Sequence, residues 1–191
     1  QDDADIPNRT DPLIIPAPVA FASDLGMPFG LAVRETGEVL AIDTLQGRIL
    51  EFDSSGNYQI FASGIATSGG LLGPNALAFN HNGDLYLSNG MTREIVRYNV
   101  RGATETVASG LGFPVSITFD AENRPVVCLI GSDEIIRIEP NGDCTVLTGG
   151  GRNPSDAAFG PNGDLFITSN DAGNGTIFRL SRDGALTQVV E

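Results

Sequence analysis

The side chains able to do covalent or acid–base chemistry are few: one histidine (His81), two cysteines (Cys128 and Cys144) and no lysine, since all 11 basic residues are arginine. Without a lysine amine the chain has no Schiff-base chemistry and no Walker-type phosphate loop. His81 sits in "NHNG", a turn between two strands. A Ser-His-Asp triad needs nucleophile, base and orienting acid within hydrogen-bond reach, and nothing in the sequence brings such partners to it. It is expected as a surface turn residue. Cys128 and Cys144 fall in the second and fourth strands of one repeat, so one strand separates them. Two steps of about 4.8 Å put their Cα atoms near 10 Å apart, beyond the roughly 7 Å a disulfide spans. Two free thiols are expected, and with no other cysteine or nearby histidine a zinc site is not supported.

Oxygen and guanidinium groups are better supplied. Asp43 and Asn89 end equivalent strands, and Asn170 and Asp171 stand nearby in a later copy. Asn75 and Asp156 begin strands that would line a central channel. Carboxylate and amide oxygens converging on an axis suit a hard cation such as Ca²⁺, which takes about six to eight oxygens. The competing reading is that Asn75 and Asp156 satisfy backbone donors at turns. Arg48 and Arg93 lie near the same rim as Asp43 and Asn89, where they would recognise an acidic ligand. Arg97, Arg137 and Arg179 recur at one place in the repeat and are expected to pair with acids on neighbouring strands.

These groups must be positioned by a repeat. The segments "PFGLAV", "PNALAF", "PVSITF" and "PSDAAF" begin at Pro28, Pro74, Pro114 and Pro154, at steps of 46, 40 and 40 residues. Each is followed by a turn and a second strand ("TGEVLAID", "NGDLYLSN", "ENRPVVCL", "NGDLFITS"), a third ("RILEFD", "EIVRYN", "EIIRIE", "TIFRLS") and a fourth ("YQIFAS", "TETVAS", "CTVLTG", "TQVVE"). Apolar residues alternate with a period of two, as in Leu31 and Val33 or Leu77 and Phe79. The connectors carry Gly and Asn hairpin turns such as "HNGD" and "PNGD". Four short antiparallel strands repeating every ~40 residues describe a propeller blade. The expectation is all-β: a β-propeller of four-stranded antiparallel blades with four repeats visible, at about 24–63, 64–109, 110–149 and 150–191. They make one domain over 18–191, after an extended Pro-rich leader at 1–17.

The pattern Pro-x-x-Leu-Ala-Phe, Asn-Gly-Asp-Leu-Tyr-Leu, Ile-x-Arg-Tyr, Val-Ala-Ser-Gly-Leu resembles the NHL repeat of six-bladed propellers, over about nine-tenths of the chain. The same strings are similar to the senescence-marker/gluconolactonase family and, less closely, to streptogramin lyases. The gluconolactonase resemblance implies a channel metal, with Asn75 of "GPNALAF" as one ligand and Asp156 of "NPSD" as a second. The chain departs from that pattern in "MPFGLAV", where Phe29 and Gly30 stand in place of an acidic ligand, and in the third repeat, which offers only Val115 and Ser116. The lyase resemblance implies a channel-facing histidine, which His81 does not supply.

Aligning "FASDLGMP" with "VASGLGFP" makes Phe21 to Ser23 the outermost strand of a blade whose other strands are absent, although "TQVVE" already offers that strand. The alternatives are a closed four-bladed monomer, or a ring completed by a second copy or a missing remainder. Both departures from strict repetition fall on one rim, here called the top: six additional residues in "GIATSGGLLGPN" and two in "SNDAGNG". Insertions on one rim commonly build a binding surface.

A net charge of −13 disfavours nucleic acid and anionic membranes as partners. No apolar run reaches the roughly 18 residues of a membrane span; the best, Leu13 to Ala22, is broken by Pro16 and Pro18. The polar, Pro-rich start suits an exported protein, extracellular or periplasmic, whereas free cysteines point the other way. Three functions compete: a non-catalytic propeller binding a protein, peptide or saccharide on its top-face loops, a Ca-dependent gluconolactonase-like hydrolase, and a structural assembly module.

Overall fold

The computed structural model describes residues 20–69, 72–100, 103–149, 153–171 and 174–189; the Pro-rich leader lies outside them. Among the described residues sixteen strands form four sheets, each with its strands in sequence order. Blade one holds β1 (Pro28–Val33), β2 (Val39–Asp43), β3 (Arg48–Phe52) and β4 (Tyr58–Ser63). Blade two holds β5 (Pro74–Phe79), β6 (Leu85–Asn89), β7 (Glu94–Tyr98) and β8 (Thr104–Ala108). Blade three holds β9 (Pro114–Phe119), β10 (Pro125–Leu129), β11 (Glu134–Ile138) and β12 (Cys144–Gly149). Blade four holds β13 (Pro154–Phe159), β14 (Leu165–Asp171), β15 (Asn174–Leu180) and β16 (Leu186–Gln188). All pairings are antiparallel. The β-propeller architecture expected from the repeats is therefore present.

The hairpins form where the turn chemistry requires. In "NHNGD" the Asn80 side-chain oxygen accepts from the Asn82 and Asp84 amides, each at 2.9 Å, and Gly83 takes φ +80°, a conformation that costs glycine little. Beyond each turn the period-two alternation sends one set of apolar side chains to each sheet face. Blade one meets blade two through Leu40, Ile42 and Ile49 against Leu77, Leu87 and Tyr98. Blade two meets blade three through Tyr86 and Ile95 against Ile117, Val127 and Ile136. Blade three meets blade four through Val126, Cys128 and Ile135 against Ala157, Leu165 and Ile167. The Tyr86 and Phe119 rings meet edge-on at 5.0 Å in the middle interface.

Innermost strands touch in the order β1, β5, β9, β13. Among the described residues no contact of that extent joins β13 back to β1, so the blades form an open arc.

One expectation is corrected. Phe21 to Ser23 is not a strand: among the described residues no strand pairs with it to make a ladder. Its packing is nevertheless that of the repeat. Ala22 and Leu25 cover Ala41, Leu50 and Phe52 on blade one, as their equivalents Ala108 and Leu111 cover blade three.

Both cysteines are unpaired, Cys128 buried and Cys144 exposed, with β11 between them as the register requires. The recurring arginines pair with acids: Arg97 with Glu105 directly opposite on β8 (2.6 Å), Arg137 with Glu139 (2.6 Å), and Arg179 with Asp164 (2.6 Å).

Candidate functional site

The top rim gathers the β2–β3, β6–β7 and β10–β11 turns and the connectors between blades. Asp43, ending β2, is 1% exposed. Its Oδ1 accepts the Met27 amide at 3.2 Å and the Gln46 amide at 3.4 Å, while Oδ2 receives Arg48 Nε at 3.0 Å. Burial opposes ionisation of this carboxyl, but the Met27 amide, Arg48 and the Gln46 amide together outweigh it and hold the group below the usual aspartate range. Arg48 also lies over the Tyr58 ring, 5.9 Å from its centre.

Asn89, the equivalent residue of blade two, repeats the arrangement with an amide. Its Oδ1 accepts from Met91 (3.0 Å) and Thr92 (3.3 Å), and its Nδ2 donates to the Ala66 carbonyl at 2.9 Å. Asp43 and Asn89 thus clamp their own turn and tie down the preceding connector. Arg93 follows in the same turn with φ +61°, and its Nε donates to the Leu111 carbonyl at 2.6 Å. Asn170 is exposed, and its backbone amide donates to Asn153 at 3.2 Å. Asp171 ends β14 opposite Asn174; its side chain lies outside the described residues.

The insertion before β5 is seated by four bonds. Ile65 N donates to Gly47 O (2.9 Å), Thr67 Oγ1 to Thr44 O (2.7 Å), Asn89 Nδ2 to Ala66 O, and Gly90 N to Gly73 O (3.0 Å). Around it three large apolar side chains face solvent: Leu45, Leu72 and Met91, at 59, 57 and 49% exposure. Leu45 and Met91 occupy equivalent positions at the tips of the β2–β3 and β6–β7 turns, each two residues past the repeat's Asp or Asn. Aligning the two turns in the sequence reveals the pair, whose apolar type sets it apart from the polar candidates Asp43, Arg48, Asn89 and Arg93.

The channel-side residues are placed differently. Bulges displace the pairing at the start of β5 and β13, just where Asn75 and Asp156 stand. Asn75 is buried, and its Nδ2 has no hydrogen-bond partner. Asp156 is exposed; its Oδ1 accepts from Ser116 Oγ at 2.8 Å across the blade three to blade four interface. The sequence held this link, since Ser116 and Asp156 each stand two residues after the repeat's proline. Beside them burial pushes the Cys128 thiol up to about 12, with a hydrogen bond between it and Ser116 opposing the rise and Asp156 adding to it.

Asn75 and Asp156 begin innermost strands of two different blades, with β9 in contact with both strands. Among the described residues no three His, Cys, Asp or Glu side chains gather to hold a metal. One carboxylate already bonded to a serine, and one amide two blades away, fall well short of a Ca²⁺ shell. On the opposite rim a cleft of about 460 Å³ opens between blades two and three. Arg124 pairs there with Asp120 and Glu122, and Arg97 pairs with Glu105 through Nη2 while its buried Nε has no hydrogen-bond partner among the described residues. His81 is exposed there in its turn, with its backbone amide donating to Asn123 Oδ1 at 2.9 Å.

A sequence profile described as "SMP-30/Gluconolactonase/LRE-like region" matches residues 62–171. No curated protein matches the sequence. Among solved structures, a virginiamycin B lyase from Staphylococcus aureus superposes with a TM-score of 0.72 at 20% identity, over 87% of this chain and 56% of the lyase. A gluconolactonase from Xanthomonas campestris gives 0.69 at 18% identity, over 83% and 60%. A PQQ-bound aldose sugar dehydrogenase from Streptomyces coelicolor gives 0.63 at 21%, over 78% and 58%. Likeness at these identities shows the fold. The chain spans little more than half the length of the structures it matches.

Proposed function

The chain belongs to the SMP-30/gluconolactonase/LRE-like family, and from that footing we propose that it is a propeller scaffold binding a protein, peptide or saccharide on its top-face loops. One observation carries this reading. The insertion at 64–73 is bonded to two blades, and three apolar side chains stand exposed around it. Exposed apolar residues clustered on pinned loops mark recognition surfaces, whereas scattered ones need no explanation. The polar candidates Asp43, Arg48, Asn89 and Arg93 then support the surface from beneath, by fixing its turns. Asn170 and Asp171, at the end of β14, extend it towards blade four.

The test uses a glycan array and a phage-displayed random peptide library, probed with the wild-type chain and with Leu45→Asp/Met91→Asp. Ligands captured by the wild type and lost by the variant, at unchanged melting temperature, are the expected result. Ligands bound equally by both would overturn the proposal.

Family membership, together with the unpartnered Asn75 amide and the exposed Asp156 carboxylate, favours a second reading: a Ca-dependent hydrolase of the gluconolactonase type. That reading needs oxygen ligands beyond these two. A melting temperature raised by Ca²⁺ in the wild type and not in Asp156→Ala would support it, and indifference to Ca²⁺ would remove it.

A further inference from the structure

The cleft on the bottom rim between blades two and three lies inside the array of repeats, so its walls can be compared with their equivalents position by position. Arg97, Arg137 and Arg179 occupy one place in the repeat. Arg137 donates from Nε to Glu139 at 2.8 Å, and Arg179 from Nε to Asp164 at 2.6 Å. Arg97 instead pairs with Glu105 through Nη2, and its Nε is buried with no hydrogen-bond partner among the described residues. A buried donor without an acceptor is costly, and native structures keep few of them unless something outside the chain supplies the partner.

Both walls of the cleft also depart from the repeat. Tyr86 stands where the other blades have Leu40, Val126 and Phe166. Its ring packs in the core against Phe119, while its hydroxyl lies against Arg97 and favours the charged guanidinium. On the facing wall Arg124 stands where the other blades carry Glu38, Asp84 and Asp164. The cleft of about 460 Å³ therefore presents a guanidinium from each wall, with Asp84, Glu105, Glu122 and Glu139 around them. That volume is in the range of small-molecule sites. The Glu105 and Glu122 side chains are 57 and 66% exposed, so their pairs with Arg97 and Arg124 contribute little and yield readily to a ligand.

This mixture of charges selects a chemical class. An anion would meet the carboxylates, in a chain of net charge −13, and a cation would meet Arg97 and Arg124. A hydroxyl accepts from a guanidinium and donates to a carboxylate through the same oxygen. A neutral molecule with neighbouring hydroxyls thus uses both signs, and Val107 and Pro140 give its C–H faces an apolar seat. We propose that this cleft binds a neutral polyhydroxylated ligand, an open-chain polyol or a sugar ring, with Arg97 and Arg124 donating to its oxygens from opposite walls. Arg97 turns away from Glu105 to do so, which frees its Nε to donate. The site is on the opposite rim from the apolar loop surface and does not depend on it.

NMR of the isotope-labelled chain tests this through the Nε–H signals of Arg97 and Arg124, one from each wall. The probes are sorbitol, D-glucose and maltose, with sodium phosphate and putrescine as an anion and a cation. A saturable shift of both signals is expected with a hydroxylated probe; a response to sorbitol marks an open-chain polyol, and a response to glucose or maltose alone marks a sugar ring. Tyr86→Phe, which keeps the ring, and Arg97→Met, which keeps the apolar stem, should each weaken binding about tenfold at unchanged melting temperature, with the Arg124 signal as reporter. Arg179→Met, the equivalent change in blade four, should not. Should Arg97→Met fail to fold, Tyr86→Phe stands on its own. No saturable shift with any hydroxylated probe, shifts produced by phosphate or putrescine in their place, or full affinity in both cleft variants would each overturn the proposal.

Discussion

Arg48 holds Asp43 through two guanidinium nitrogens, Nε and Nη2 each 3.0 Å from Oδ2, in a pair whose carboxylate is 1% exposed. The two residues are five apart in sequence and directly opposite in the β2–β3 register. Both stood out as ligand groups by type and by rim. In the folded chain they satisfy one another and, through the Met27 and Gln46 amides, fix the entry to β1 and the turn to β3.

Asp43→Ala should therefore cost stability. It strips the side-chain partner from the Met27 amide, while the Gln46 amide keeps the Asp43 carbonyl at 3.2 Å, and it leaves Arg48, whose side chain is 16% exposed, without its counter-charge. A loss of about 2–4 kcal/mol is expected, measured by urea unfolding. A loss below about 0.5 kcal/mol would show that the pair is dispensable.

The same pair predicts acid sensitivity. Because the Asp43 carboxyl is held below its ordinary value, the unfolded chain binds its proton first as pH falls. Its contribution is complete above the unfolded pKa of about 3.9 and is lost as pH drops through the lower folded value. Glu139, held down by Arg137 and Thr145, acts in the same direction. The urea midpoint should fall between pH 5 and pH 2, and Asp43→Asn should flatten that dependence; equal slopes in both proteins would contradict the assignment.

Gly47 and Arg93 occupy one position in successive turns, at φ +60° and +61°. A Cβ at Gly47 would collide with the Ile65 carbonyl oxygen, at the point where the insertion is tied down. Gly47→Ala should cost about 2 kcal/mol or more and loosen the loop, read by amide exchange at Ile65. Arg93→Gly relieves the same backbone strain while removing the bond to Leu111, so its net effect should be much smaller. Equal costs would show that the collision is not the cause.

The two thiols should react unequally. Cys128 is buried and its pKa is pushed up to about 12, so almost no thiolate forms at neutral pH; Cys144 is exposed on β12. One equivalent of Ellman's reagent should be consumed by the native chain at pH 8 and two after denaturation. Rapid reaction of both in the native state would place Cys128 outside the blade three to blade four core.

The repeat was legible because a blade is a local object. Strand length, turn residues and period-two alternation all lie within about 40 residues, so the spacing of Pro28, Pro74, Pro114 and Pro154 determined four blades, and the strand order within each followed. The free state of Cys128 and Cys144 and the surface place of His81 came from the same short-range counting. Phe21 to Ser23 shows where that counting stops. Its alignment with β8 is correct and its packing is that of the repeat, but a strand exists only when a neighbour offers its backbone.

The candidate site was legible in residue types and illegible in their roles. Whether Asp43 faces a ligand or an arginine depends on how Met27, Gln46 and Arg48 converge after folding. Whether Asn75 and Asp156 can reach one metal depends on how the innermost strands converge on the channel. Residue type determines what a group is able to bond. Which bond it makes is decided by burial, because a buried carboxylate or amide must find the nearest partner or lose its hydration without return, and only the packed blades establish which partner is nearest.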